Sequence, residues 1–127
     1  MFLREQRIAR LGCHVDGLTY VVPVIYAYDG ESVYTLTTEG QKVTMMRANP
    51  SVCVEVDEYD SERGGWRSVI AQGDFEELAG DEVGEALELL RARFGRAESS
   101  GPTRELGPDT VVVRIRLTEV SGRSVSR

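Results

Sequence analysis

The sequence predicts a mainly β domain, a small six-stranded antiparallel barrel with peripheral helices. Three observations predict it. Two Asp-Gly turn signals, Asp16-Gly17 and Asp29-Gly30, join three β-forming runs into a meander. Further runs rich in valine and isoleucine follow, making six strand-like segments. Helical patterns fall between them without the regular βα alternation of a doubly wound parallel sheet. With 127 residues the chain reads as one domain, residues 1–127. It can bury most of its unfolded surface without a disulfide or metal staple.

The first residues read as the end of a short helix. Arg7–Val15 alternates, with Ile8, Arg10 and Gly12 facing one way and Ala9, Leu11 and Cys13 the other. After the Asp16-Gly17 turn, Thr19–Tyr28 is a long β-branched and aromatic run. Ser32–Thr37 is the third strand. Gln41–Ala48 reads as a helix with Val43, Met46 and Met45 inward, stopped by Asn49-Pro50. Val52–Tyr59 sets Val52, Val54 and Val56 on one face, and Cys53, Glu55 and Asp57 on the other. Ser61–Gly65 is a loop. Trp66–Leu78 is a long strand in which Gly73 marks a bulge or bend. Asp81–Phe94 is the clearest helix. Asp81 is its expected N-cap, Val83, Ala86, Leu87, Leu90 and Phe94 form an apolar stripe, and Gly95 suits its C-terminus. Arg96–Pro108 is expected to be loop, Thr110–Leu117 the last strand, and the tail from Ser121 is expected to fray.

Composition excludes several function classes. Hydrophobic content of 41% with 28% charged residues is that of a globular domain rather than a disordered one. The formal net charge is −6 and no dense Lys/Arg run exists, which argues against nucleic acid and against a membrane surface. No apolar run approaches the ~20 residues needed to span a bilayer. The N-terminal residues lack the apolar core of a signal peptide, so the expected location is the cytoplasm. Cys13 and Cys53 form no Cys-x-x-Cys pair and are expected to be reduced and largely buried. A single histidine, His14, argues against a zinc site. No nucleophile-elbow, P-loop or dinucleotide-fingerprint motif occurs.

The stretch Val33–Pro50, VYTLTTEGQKVTMMRANP, concentrates what chemistry there is. It holds Lys42, the only lysine; the other fourteen basic side chains are arginines. A strand, a hydroxyl-rich turn (Thr37-Thr38-Glu39-Gly40) and a helix N-terminus bring hydroxyls, amides and one ammonium together, as a small anion site requires. The alternative is a plain connector in which Thr37 or Thr38 caps the helix and Lys42 is solvated. Pro23, inside the run Val21-Val22-Pro23-Val24-Ile25, cannot donate to a ladder and marks an edge or bulged strand. Such an edge receives a flat heteroaromatic ring, or is simply protected by its proline. Glu55, Asp57, Glu58 and Asp60 read as the wet face of a strand.

Taken in order, these pieces are a meander containing VVPV, then YTLTTEGQK, a helix ending RANP, VCVEVD, and WRSVIAQGDFEEL. In that combination the chain resembles the pyridoxamine 5′-phosphate oxidase-like, FMN-binding split-barrel family, in its compact nitroimidazole-resistance-type branch. The resemblance covers Ile8–Leu78 most closely. It implies a six-stranded antiparallel split β-barrel that forms a homodimer with FMN at the subunit interface. It further implies that the backbone of Val22, Pro23, Val24 and Ile25 lies along the isoalloxazine ring. Thr35, Leu36 and Thr37 would line the ring and ribityl side, and Lys42 with Gln41 would bind the phosphate. Trp66, Arg67 and Ser68 would approach from the other side, from the partner chain.

The chain departs from the oxidase proper, which has an arginine-rich phosphate clamp; here Lys42 is the only cation in the turn. The oxidase's C-terminal substrate segment carries tryptophan and arginine, whereas this tail offers Arg123 and Arg127. Nitroimidazole-resistance-type proteins often have a histidine in the third strand where this chain has Thr35. The leading expectation is an FMN-dependent oxidoreductase acting on a small molecule. The alternatives are a non-catalytic flavin-binding or sensor protein, a split barrel holding a deazaflavin or haem, and a cofactor-free interaction module. Haem would require His14 as axial ligand.

Overall fold

The computed structural model describes residues 2–62, 64–95 and 107–125. Their order is α1 (Phe2–Glu5), β1 (Ile8–Val15), β2 (Leu18–Ile25), β3 (Ala27–Tyr28), β4 (Ser32–Thr38), α2 (Gln41–Ala48), β5 (Ser51–Tyr59), β6 (Trp66–Glu77), α3 (Asp81–Phe94) and β7 (Thr110–Val125). The seven strands form one antiparallel sheet in the order β2-β1-β5-β6-β7-β4-β3. β2 and β3 lie at opposite ends of that order yet are joined in the chain through Tyr26 alone. The sheet therefore curls until its two ends meet, which makes it a barrel.

Here the count differs from the six strands expected. Thr19–Tyr28 is one β-forming run, but its partner changes along its length. Leu18–Ile25 pairs with β1, and Ala27–Tyr28 pairs with β4. Tyr26 is fully buried at the crossover; its N–H donates to the Arg7 carbonyl at 3.1 Å and its hydroxyl to the Leu3 carbonyl. Burial pushes the phenol up to about 12, against the opposing pull of Arg93, so the hydroxyl remains a donor at physiological pH.

The alternation expected for β1 and β5 is observed. Ala9, Leu11 and Cys13 point into the barrel with Val52, Val54 and Val56, and meet Phe75, Val111, Val113 and Ile115 there. α2 adds Val43, Met45 and Met46 to this core, and α1 adds Leu3. α3 lies outside the barrel and packs on β3, β4 and β7, burying Ala86, Leu87, Leu90 and Phe94. Its C-terminus ends in Gly95 at φ 75°, as the sequence implied.

Three local readings are corrected. The N-cap of α3 is Gly80, at φ 65°, and Asp81 is the first helical residue, where its charge complements the helix dipole. α2 is capped by Gly40 in extended backbone, with no side-chain cap bond, so neither Thr37 nor Thr38 caps it. β7 does not stop at Leu117. It runs to Val125 because Val120–Val125 pairs with Trp66–Ala71, so this part of the tail is a strand and not a frayed end. Residues 96–106 of the expected loop, and Arg127, lie outside the described residues. Among the described residues no helix is long and apolar enough to cross a membrane.

The irregularity expected at Gly73 is a register shift between Gln72 and Gly73 opposite β7. A Cβ there would stand 2.7 Å from the Arg116 carbonyl oxygen and 2.8 Å from Ile115 Cγ2. Backbone and core side chain leave it no room. Gly73→Ala should therefore cost ~2 kcal/mol or more in urea unfolding. Gly122→Ala, whose Cβ would meet its nearest atom at 3.7 Å, should stay within ~0.5 kcal/mol. Equal midpoints for the two variants would contradict this packing.

Candidate functional site

The place to look is where the barrel wall opens. β2 pairs with β1 on one side only. The bond from Tyr26 N–H to Arg7 sets the phase of that pairing. Antiparallel ladders alternate, so Ile25, Pro23, Val21 and Thr19 direct their backbone groups away from β1. Pro23 thus sits in the phase where a missing N–H removes no rung, which explains how a proline is tolerated in this strand.

β4 has a matching bare edge. β3 pairs only with Val33 and Tyr34. Beyond them Glu39 N–H donates to Asp109 on the β7 side, at 2.9 Å, so Leu36 and Thr38 point their backbone groups the other way, into the opening. The result is a split between two strand edges with unpaired amides and carbonyls. At its closed end the Thr35 hydroxyl donates to the Ile25 carbonyl at 2.7 Å. On the outer side Ile25 and Leu36 pack with Leu89, Leu90 and Phe94 of α3.

Lys42 stands in the first turn of α2, which packs on β1. It is half-buried, not solvated as the connector reading would have it. Burial lowers its pKa, and the neighbouring Cys13 thiol opposes this weakly. Among the described residues the ammonium makes no ion pair and no hydrogen bond. A desolvated cation without a partner is costly unless an anion completes it. Gln41 beside it is exposed, its amide near Met45 Sδ at 3.9 Å. Cys13 is buried and its thiol is pushed up by that burial, with Lys42 opposing; Cys53 is half-buried.

The structure thus gathers Val22, Pro23, Val24, Ile25, Thr35, Leu36 and Thr37 along one split, with Lys42 and Gln41 on the helix that follows β4. It does not bring Trp66, Arg67 and Ser68 there. β6 is separated from β2 by β1 and β5, and from β4 by β7. Trp66 lies between Tyr59 and Val125, at the end of β7 far from the part that pairs with β4. Arg67 is held by Glu5 at 3.0 Å and Glu58 at 3.1 Å, and lies over the Phe2 ring at 4.3 Å.

A second feature was missed in the sequence. Among the described residues no helix covers the outer face of β2, β1, β5 and β6. That face carries Ile8, Val21, Tyr59, Trp66 and Ile70, all more than 40% exposed. Around Gly12 and Cys53 it holds a groove of about 620 Å³. Arg10 crosses it to reach Glu55 at 3.4 Å and Asp57 at 3.3 Å. Burial, then the hydrogen bond that its protonated form donates to Asp57, raises the Glu55 carboxyl, with Arg10 opposing. The available signal was Ile8 on the face of β1 opposite Ala9, Leu11 and Cys13. His14 is exposed on this same face, and its backbone carbonyl accepts from Asn49. Among the described residues no three His, Cys, Asp or Glu side chains gather as a metal site.

Comparison with known proteins gives this geometry a lineage. The family model described as pyridoxamine 5′-phosphate oxidase matches residues 1–124. The chain belongs to that family. Among solved structures the chain is similar to a FAD-binding protein from Mesorhizobium loti, 35% identical, with a TM-score of 0.75 over 96% of this chain and 87% of that one. A 5-nitroimidazole antibiotic resistance protein from Bacteroides thetaiotaomicron has the same fold at 20% identity, with a TM-score of 0.77 over 98% and 80% of the two chains. So does the haem storage protein HutZ from Vibrio cholerae, 15% identical, with a TM-score of 0.77 over 98% and 89%. An uncharacterised protein of Rhizobium meliloti (strain 1021) is 41% identical over 71 residues, 56% of this chain and 46% of its own length. This chain therefore spans less than half of that curated relative.

The unpaired ammonium has a measurable consequence. Lys42→Met, which keeps the stem and removes the charge, should leave the urea midpoint of the ligand-free protein unchanged or raise it. A loss beyond ~0.5 kcal/mol would mean that Lys42 serves the fold and not a ligand.

Proposed function

We propose that this protein binds FMN in the split between β2 and β4, as a homodimer with the cofactor at the subunit interface, and works as a flavin-dependent oxidoreductase on a small molecule. The observation that carries the reading is Lys42, a half-buried ammonium with no partner among the described residues, on the helix that follows a split edged with free backbone groups. A phosphate dianion supplies what that ammonium lacks. Thr37 and Thr38 end β4 and Gln41 opens α2, with Glu39 and Gly40 between them. A flat ring with donors and acceptors on its rim matches the bare groups of Val21, Pro23 and Leu36. Family membership and the FAD-binding relative from Mesorhizobium loti support a flavin. One ammonium suits one phosphate, hence FMN.

The flavin would supply the redox chemistry; the chain's residues hold and orient it, and exclude water through Ile25, Leu36 and Leu89. The homodimer reading rests on the bare outer face, whose exposed apolar side chains are what an interface covers. A partner also accounts for Trp66 and Ser68, which cannot reach the split of their own chain. The two cysteines are unpaired, in keeping with the cytoplasm.

The deciding experiment is an absorption titration with FMN and with riboflavin. The wild-type protein should turn yellow with FMN and bleach with NAD(P)H. Lys42→Ala should weaken FMN about tenfold or more and leave riboflavin, which has no phosphate, unchanged. Equal losses for both ligands would remove Lys42 from the phosphate. Binding of a deazaflavin but not FMN would replace the cofactor and keep the site. For the dimer, Ile70→Glu should give a monomer in sedimentation and lose FMN binding; a monomeric wild-type protein that binds FMN would reject the interface.

A further inference from the structure

We propose that Thr35 is a positioning residue whose hydroxyl replaces the ladder rung at which β2 and β4 part, and so sets the width of the split. The consequence for the cofactor rests on the flavin reading above; the geometry does not.

The register makes the case. β3 and β4 pair Tyr28 with Val33 and Ala27 with Tyr34. Asp29 N–H donates to the Ser32 carbonyl, so Ala27 with Tyr34 is a hydrogen-bonded pair by alternation. Two residues further on, the next such pair would be Ile25 with Leu36. There the strands have separated, and no backbone pairing between those two residues exists. The Thr35 hydroxyl occupies that position. It donates to the Ile25 carbonyl at 2.7 Å and lies 3.4 Å from the Leu36 carbonyl. A hydroxyl has one hydrogen, so the shorter contact takes it.

Thr35 is 1% exposed. No other side-chain hydrogen bond crosses from β2 to β4 among the described residues. On one side of this bond the two strand segments are held by β3 pairing; on the other both edges are bare. The bond is the apex of the split. Without it the part-buried Ile25 carbonyl loses this partner, which favours movement of the β2 edge that presents Pro23 and Val21. Thr35 thus does not contact the ring through its hydroxyl, which is already committed; it holds the edge that does.

The test compares Thr35→Val, which keeps the shape and removes the donor, with Thr35→Ser, which keeps the donor. In the ligand-free protein, hydrogen exchange at the Ala27 and Tyr34 amides, the last bonded pair before the apex, should quicken in Thr35→Val and stay near wild type in Thr35→Ser, with β5 and β6 amides unchanged. FMN titrations should show about a tenfold weaker affinity for Thr35→Val, with altered visible circular dichroism of the bound flavin, and rescue to within about twofold in Thr35→Ser. Lys42→Ala should weaken FMN without altering that dichroism. Wild-type exchange at Ala27 and Tyr34 in Thr35→Val would overturn the proposal. Faster exchange in a protein that binds no flavin would uphold the pivot and reject the flavin reading. Should Thr35→Val fail to fold, a rescue by Thr35→Ser with wild-type exchange upholds the donor role, and exchange as fast as at the bare Val21 edge rejects it.

Discussion

The structure depends on a change of partner at one residue. At Tyr26 the chain leaves the pairing with β1 and begins the pairing with β4. Because those strands lie at opposite ends of the sheet, the crossover closes the barrel by covalent continuity and leaves fewer free edges to protect. The closure is incomplete. A strand that serves two ladders in succession must part from each, and where it parts from β4 the wall splits. Tyr26 is anchored by its N–H to Arg7 and its hydroxyl to Leu3, and Arg93 from α3 donates to the Glu5 and Gln6 carbonyls beside them. The crossover is therefore gripped from both sides while the split next to it is not.

A barrel whose wall opens exposes backbone groups that would otherwise pair. A free-standing protein gains nothing by keeping such an edge together with an unpaired, half-buried ammonium on the following helix; both are costs in the absence of a ligand. Two arginine clusters of the surface show the opposite arrangement. Arg47 is satisfied by Glu39 and Glu77, and Arg114 by Glu76 and Glu82. What sets Lys42 apart is that it combines partial burial with the lack of a partner among the described residues.

Much of the architecture was legible in the residues. The alternation in β1 and β5, the apolar stripe of α3, the irregularity at Gly73 and the edge character around Pro23 all follow from side-chain period and from proline's missing donor. Errors came where a local preference met a longer-range demand. Val120–Val125 looks too polar and glycine-rich for a strand, but β6 supplies partners along its full length. Asp81 has the chemistry of a cap, yet the backbone reaches the helix through Gly80 in a left-handed conformation. The outer face of β5 reads as solvated, and its neighbours Val21, Ile70 and Trp66 make it a partly apolar surface instead.

By itself the sequence determined most of the strands, the inward faces of β1, β5 and α3, and the one lysine, because these depend on side-chain chemistry and on periods of two and three to four residues. Tertiary structure decided the rest. Whether Thr19–Tyr28 is one strand or two, which carbonyl the Thr35 hydroxyl reaches, and that Trp66 lies strands away from the split it was expected to line are all matters of sheet order and register. Those are set by which distant segments pair, and no local pattern encodes the partner.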